Sequence, residues 1–378
     1  MNHPIYLDYN ATTPVDQEVV DEMSPYITRF FGNPSSANDE GRKAKNAIIK
    51  ARRQVAALTN AGEDEIVFTS GGTESNNHAI RGIASANRHK GNHIITSAIE
   101  HPSVTNVCNY LESIGFEISW IPVDSNGRVV ASDVERAIRP QTILITIMHA
   151  NNEVGTVQPI AEIGAIAKKH QIVFHTDAAQ SLGKIETDVN KLNVDLLSVA
   201  GHKLYAPKGV GALYIKSGIK IDNILFGAGQ EKGLRPGTEN VPYIVALGKA
   251  CEIAKRDFEV NAGNMFSAKE RLFNGLIAKL GDRVYLNGNA LGTLPNTLSV
   301  AFLGVEAHTL VSAVEKDVLI STGSACHADS IEISPVLKAM KTTPEIGTGT
   351  VRISTGKNTS FEEVDRALEV LTKIITKF

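Results

Sequence analysis

One lysine lies in an unusual setting for a charged side chain. Lys203 is in the stretch SVAGHKLYAPKGVGALYI (198–215), where apolar segments flank a turn rich in glycine and proline. Apolar surroundings disfavour the ammonium form, so the nucleophilic neutral amine is easier to reach. The stretch therefore indicates a reactive lysine rather than a solvated one.

Other polar residues follow apolar runs in the same way. Asp177 follows IVFHT, His101 comes after IITSAIE, and Asn152 follows ITIMHAN. In a sheet of parallel strands such positions meet at the carboxyl edge, where ligands bind. The structural alternative for Asp177 is a helix cap.

A glycine turn in IVFTSGGTESNN offers a place for an anion. Small residues at Gly71 and Gly72 let backbone N–H groups approach a phosphate, and the dipole of a helix opening at Thr73 favours negative charge. The alternative is a tight strand-to-helix turn with Thr73 as N-cap. The stretch matches neither GxxxxGK[ST] nor GxGxxG, so a nucleotide is not indicated.

Each of these features is a weak indication by itself, but their combination indicates a site for pyridoxal 5'-phosphate. This cofactor needs a lysine that forms a Schiff base, a carboxylate that keeps its ring nitrogen protonated, and a phosphate seat. We expect Lys203 to be the Schiff-base lysine and Asp177 the carboxylate.

A second reactive group is predicted in the stretch STGSACHADS. Cys326 has small and polar neighbours there, whereas Cys108 and Cys251 lie on helical patterns typical of core residues. An exposed thiol can act as a nucleophile. The residues alone leave Cys326 open between a nucleophile and an incidental free thiol.

Composition narrows the class of protein. The 378 residues carry 38 basic and 41 acidic side chains, a net charge of −3, which gives no reason to expect nucleic acid or an anionic membrane as partner. No apolar run is long enough to cross a bilayer, and the start MNHPIYLDYNATTP lacks the order of a secretory signal. Three widely spaced cysteines form neither a disulfide framework nor a metal pair. We expect a soluble protein of a reducing compartment, the cytoplasm.

The order of elements predicts an α/β fold of two domains. Seven apolar runs, which are EIVFTS, HIITS, FEISWIPV, TILITIMHA, IVFHTDAA, LLSVAG and VGALYIK, alternate with helical patterns, as in a mostly parallel sheet. A loop (226–242) and a long helical stretch (roughly 240–280) follow. The strands RVYLNG, TLSVAFL, VLISTG and TVRIST and a terminal helix then suggest a smaller α+β domain.

From residue 5 to about 370 the chain resembles the cysteine desulfurases of the NifS/IscS-like group. The motifs that carry the resemblance are YLDYNATTP, FGNPSS, FTSGGTESNN, EHPSV, MHANNEVGTVQPI, FHTDAAQSLGK, GHKLYAPKGVGALY, RPGTEN, GSACH and VRISTGKNT. The resemblance implies fold-type I of the pyridoxal phosphate enzymes, aminotransferase class V. A large cofactor-binding domain with a mostly parallel seven-stranded sheet would span 16–250, and the small domain would comprise 1–15 and 251–378 with the catalytic cysteine.

The resemblance also implies a role for each matching residue. Lys203 would hold the cofactor and shuttle protons, His101 would stack on its ring, and Cys326 would take sulfur from L-cysteine as a persulfide, leaving L-alanine. Substrate carboxylate would be bound by Arg352 with Asn33 near it. The remaining cofactor contacts would be Gly72, Thr73, Asn152, Asp177, Gln180, His202 and, from the partner subunit of a homodimer, Thr238. No metal is implied.

Alternatives remain at this point. Selenocysteine lyases share the RPGTEN and GSACHAD wording, so L-selenocysteine is the second candidate substrate; transamination and a catalytically silent scaffold are further ones. The sulfur acceptor, for example an iron–sulfur scaffold protein, is not readable from the sequence. Two departures from the family pattern are Ala200, where many relatives have Ser, and Asn38, where they have His.

Overall fold

A computed structural model describes residues 3–289, 291–322 and 333–378. Its strands are β1 (Ile5–Tyr6), β2 (Ile66–Thr69), β3 (His93–Ser97), β4 (Glu117–Ile121), β5 (Thr142–Thr146), β6 (Val173–Asp177), β7 (Leu196–Ala200), β8 (Gly211–Ile215), β9 (Val284–Leu286), β10 (Thr297–Phe302), β11 (Val318–Leu319), β12 (Ser321–Thr322) and β13 (Thr350–Ser354).

Fourteen α-helices occur among the described residues. They are α1 (Gln17–Met23), α2 (Pro25–Thr28), α3 (Asp39–Thr59), α4 (Gly72–Ala86), α5 (Pro102–Ser113), α6 (Ala131–Arg136), α7 (Ile160–Lys169), α8 (Val189–Leu192), α9 (Val241–Arg256), α10 (Phe258–Leu280), α11 (Ala307–Val314), α12 (Pro335–Ala339), α13 (Pro344–Thr348) and α14 (Phe361–Ile375). None of these helices is long and apolar enough to span a membrane.

The predicted seven runs form one sheet, so the α/β fold class is confirmed. Its strand order is β2-β8-β7-β6-β5-β3-β4. The five strands β7, β6, β5, β3 and β4 run parallel to one another. Strand β8 runs antiparallel to both β2 and β7. Five of the strands are buried at every position, which explains their continuous apolar sequences.

A second, antiparallel sheet has the order β12-β13-β10-β9, and β1 pairs in parallel with β11. Helices α10, α11 and α14 pack against these strands around a core of their own. The long helical stretch is two helices, α9 and α10, with Asp257 between them. The division into 16–250 and 1–15 with 251–378 stays a prediction, and its second boundary falls inside α9.

The starts of two helices, α4 and α3, bear on points raised by the sequence. Helix α4 begins at Gly72 with Gly71 as its N-cap, so the alternative that made Thr73 the cap is wrong. Gly71 has φ +149°, a conformation that side-chain-bearing residues rarely adopt. Asn38, one of the two departures from the family pattern, is the N-cap of α3. Its Oδ1 accepts from the N–H of Gly41 at 2.9 Å.

Candidate active site

The carboxyl ends of the parallel strands border a cleft of about 350 Å³. Nine of the residues singled out from the sequence line it: Gly72, Thr73, His101, Asn152, Asp177, Gln180, His202, Lys203 and Arg352. Asn33 and Thr238 are exposed and do not line this cleft. Cys326 lies outside the described residues.

Lys203 reaches the cleft from a single turn of 3₁₀-helix (Gly201–Lys203) directly after β7. Its Nζ donates to the carbonyl oxygen of Ala11 at 2.6 Å and also to that of Asn10. Burial, with a smaller contribution from the Arg352 guanidinium, lowers the pKa of Lys203 to about 8. The amine is therefore much closer to its nucleophilic form at neutral pH than an exposed lysine, as the sequence predicts.

Asp177 is buried at the end of β6 with both carboxylate oxygens held. Its Oδ1 accepts from the backbone N–H of Ala179 at 2.8 Å, and its Oδ2 accepts from Asn76 Nδ2 at 2.7 Å. Asn76 also donates to Ser103 Oγ at 2.8 Å, while its own Oδ1 is buried without a hydrogen-bond partner in the described part of the chain. The carboxylate is fixed in direction but still lines the cleft.

The N-terminus of α4, which also lines the cleft, suits an anion. The N-terminus of α4 has no side-chain cap, so the N–H groups of its first turn remain available to a ligand. Ala200 closes against it, because a Cβ placed on Gly72 would lie 3.2 Å from the Ala200 Cβ. His202 lies beside it, with Nδ1 3.2 Å from Thr12 Oγ1, and desolvation lowers the pKa of His202 to about 4.

His101 caps α5 at the edge of the same cleft. Its Nδ1 accepts from the backbone N–H of Ser103 at 3.1 Å and lies 2.8 Å from Ser103 Oγ. Desolvation lowers the pKa of His101, and the Asp177 carboxylate opposes that shift. The ring is thus held by one edge and favoured in its neutral form.

Arg352 projects from β13 into the cleft and is already paired. One Nη2 contact goes to Asp8 Oδ1 at 2.7 Å and another to Ser321 Oγ at 3.2 Å, while Nη1 donates to the Asn152 carbonyl oxygen at 3.3 Å. Its Nε is buried and has no hydrogen-bond partner among the described residues. The contacts to Asp8, Ser321 and Asn152 use both N–H groups of Nη2 and one of Nη1, which leaves the second N–H of Nη1 for a carboxylate in the cleft.

Sequence reasoning missed the residue that connects this site, Asn10. Its backbone carbonyl accepts from Lys203 and Gln180, and its Nδ2 donates to Thr297 Oγ1 at 2.8 Å in β10 and to the Asn152 carbonyl oxygen at 3.1 Å. Asn10 thereby ties the lysine turn to the second sheet. The only signal in the sequence was its place in the motif YLDYNATTP.

Pyridoxal phosphate fits these residues. When bound, it supplies an aldehyde that an amine can capture and a ring that accepts electrons. Lys203 would hold the aldehyde carbon, Asp177 the ring nitrogen, and the first turn of α4 with His202 the phosphate. Two buried polar atoms on residues that line the cleft, Asn76 Oδ1 and Arg352 Nε, have no hydrogen-bond partner among the described residues, as expected of a cleft built for a polar ligand.

Comparison with known proteins places the chain. The family model of aminotransferase class V matches residues 5–367. This chain belongs to the aminotransferase class-V family. A cysteine desulfurase IscS from Methanosarcina thermophila is 50% identical over 377 residues, which is 100% of this chain and 93% of that protein. Another IscS, from Dictyoglomus turgidum, is 46% identical and covers 100% of this chain and 96% of its own length.

Solved structures of the class-V family agree with the fold. A NifS-like protein superposes with a TM-score of 0.93 at 38% identity, covering 99% of this chain and 100% of its own. A structure described as SspA in complex with cysteine has a TM-score of 0.83 at 42% identity and covers 94% and 99% of the two chains. The expected fold-type I architecture is confirmed.

Proposed function

We propose that this chain is a pyridoxal phosphate-dependent cysteine desulfurase, which converts L-cysteine to L-alanine and passes the sulfur to Cys326. The observation that carries the proposal is the Lys203 amine, with its pKa lowered to about 8, in one cleft with Asp177 and Arg352. The names of the IscS relatives and the neighbour solved with cysteine confirm the predicted activity in preference to a selenocysteine lyase.

The side chains divide the work as follows in this proposal. Arg352 binds the substrate carboxylate through its guanidinium, and Asn33, which does not line the cleft of its own chain, assists. Lys203 moves a proton at the substrate Cα. His101 is held by Ser103 so that its neutral ring stacks on the cofactor and takes part in acid–base steps. Asp177 keeps the ring nitrogen protonated.

Sulfur transfer in this proposal is a displacement at sulfur. The Cys326 thiolate attacks the substrate sulfur, an S–S bond forms, and the C–S bond breaks. The electron pair of the broken bond remains with the carbon fragment, which takes up protons and leaves as alanine. The persulfide on Cys326 then passes its outer sulfur to an acceptor.

We further propose a cytoplasmic homodimer in which Thr238 reaches the phosphate of the partner's cofactor. Thr238 is exposed and does not line the cleft of its own chain. Phe31 and Phe226 are 78% and 90% exposed, and they lie on the segments that carry Asn33 and Thr238. Large apolar side chains in such positions favour a protein partner. The sulfur acceptor we propose is an iron–sulfur scaffold protein, in line with the IscS relatives.

Steady-state assays with L-cysteine and with L-selenocysteine test the activity. Alanine should be released from L-cysteine with the higher kcat/KM, and Cys326→Ser should abolish the persulfide while the cofactor stays bound. Cys251→Ala, which removes a buried thiol away from the cleft, is the matched control and should retain persulfide formation. Turnover of L-selenocysteine alone, or sulfur transfer by Cys326→Ser at the wild-type rate, would contradict the proposal.

A further inference from the structure

A second lysine is buried directly behind the cleft. Lys184 is only 6% exposed, and no carboxylate of the described residues lies within ion-pair distance of its Nζ. Its partners are neutral oxygens: Gln180 Oε1 at 3.1 Å and Asn10 Oδ1 at 3.3 Å. A buried ammonium without a counter-ion is costly, so its retention needs a reason.

The charged groups around Lys184 do not supply that counter-ion. Lys203 and Arg352 are the cations that act on it, and both disfavour its protonated form. Asp16 and Lys357 line the small cavity between Lys184 and Lys203, but Asp16 already forms an ion pair with Lys357. Burial and these neighbours lower the pKa of Lys184 to about 7.

The contact with Gln180 has a consequence for the cleft. Lys184 Nζ donates to the Gln180 oxygen, and in its protonated form it can only donate, so it holds the amide oxygen on its own side. The amide nitrogen then points the other way, where one N–H donates to the Asn10 carbonyl oxygen at 3.0 Å and the second is available to the cleft that Gln180 lines. A cation on the amide oxygen also polarises the amide and strengthens its N–H groups as donors.

We propose that Lys184 is a positioning residue that holds and polarises the Gln180 amide, so that its N–H stabilises an anionic oxygen on the cofactor ring. This inference rests on the proposed function, in which Gln180 faces the phenolic oxygen next to the Lys203 linkage. The bound anion is then the counter-ion that the buried ammonium lacks in the protein itself.

The pH titration of the visible absorbance of the cofactor-loaded protein tests this role. Lys184→Met removes the charge but keeps an unbranched side chain. A donor to the anionic oxygen lowers the proton affinity of the oxygen and the adjoining nitrogen, so its loss should raise the titration midpoint. The expected rise is about one to two pH units, the shift that loss of a hydrogen bond to a charged group produces.

Two further variants separate this role from a structural one. Gln180→Ala should raise the midpoint to a similar extent, and adding Lys184→Met to it should cause no further rise, because Lys184 acts through the amide. Lys269→Met is the matched control: Lys269 is another buried lysine with a lowered pKa, lies on α10 and does not line the cleft. Its replacement should leave the midpoint unchanged.

Either of two results would overturn the inference: an unchanged midpoint in Lys184→Met, or shifts that add in the double variant. If Lys184→Met does not fold, Lys184→Leu provides the same comparison. Failure of the proposed function looks different, since wild-type protein incubated with pyridoxal phosphate would then show no visible band to titrate.

Discussion

Two lysines that share the acceptors around Asn10 are the residues on which this site depends. Lys203 lines the cleft and Lys184 lies behind it. Desolvation is the largest cause of the lowered pKa of each. For Lys203 a lowered pKa serves nucleophilicity. For Lys184 the lowered pKa reflects burial without a carboxylate partner among the described residues. In our proposal a bound ligand supplies the missing anion.

The same two pKa shifts predict how stability depends on pH in the cofactor-free protein. A lysine whose folded-state pKa is below its ordinary 10.5 binds fewer protons in the folded than in the unfolded state between those two values. Each lysine should therefore contribute a rise in the free energy of unfolding with pH, Lys184 from about pH 7 and Lys203 from about pH 8. Glu100, Cys108 and Cys251 act in the opposite direction, because burial raises their pKa values and they bind more protons in the folded state. Glu100, whose pKa is raised to about 8, does so below that pH, and the two thiols do so above their ordinary 9. Comparison of wild type with a variant that lacks one lysine isolates the contribution of that lysine.

Urea unfolding of cofactor-free protein at pH 7 and pH 9.5 measures this rise. Lys184→Met should show a shallower rise than wild type and be the more stable of the two at pH 7, because it lacks a buried charge. Equal pH slopes in the two proteins would show that Lys184 titrates normally.

At the scale of elements, the N-termini of α4 and α3 differ in whether a side chain caps them. Helix α4 leaves its first N–H groups uncapped at the cleft, whereas α3, whose first turn does not line the cleft, is capped by Asn38. The departure from the family's His at this position thus has a local explanation, because Asn is among the best N-cap residues.

Asn38→Ala should lower the free energy of unfolding by about 1 kcal/mol, since the N–H of Gly41 loses its acceptor. Asn38→Asp keeps an acceptor and should cost much less. Denaturant unfolding of both variants measures the difference, and equal losses would argue against the capping role. Neither variant should change cofactor binding.

Much of this level was predictable from local sequence. Strands such as β5 are buried along their whole length, so their apolar runs stand out, and the polar residues after them mark the sheet edge. The sequence predicts the start of α4 one residue too late and its alternative cap two residues too late, because Thr73 is a good cap by type. Only the backbone shows that φ +149° at Gly71 demands glycine.

The contacts between sheets were not predictable in this way. Asp8 and Arg352 are 344 residues apart, and Asn10 lies 287 residues from Thr297. No local pattern encodes such pairs, since they depend on how β13 and β10 meet the chain after β1. The roles expected of Arg352 and Gln180 came from the resemblance, and Lys184 had no signal beyond its place at the end of FHTDAAQSLGK.

For the whole molecule, we predict a homodimer in which each subunit contributes to the site of the other. If Thr238 completes the partner's site, then Lys203→Ala and Thr238→Ala subunits should complement each other. Refolding an equal mixture creates heterodimers in which one cleft has both residues, so alanine release should exceed the mean of the two separate preparations. Activity equal to that mean would place Thr238 outside the partner's site.

The most direct measurement for the central claim is borohydride reduction of the protein loaded with pyridoxal phosphate, followed by peptide mapping. The account predicts a pyridoxyl group on Lys203 and, because Lys184 faces neutral oxygens behind the cleft, none on Lys184. A label on any other lysine with Lys203 unmodified would contradict it.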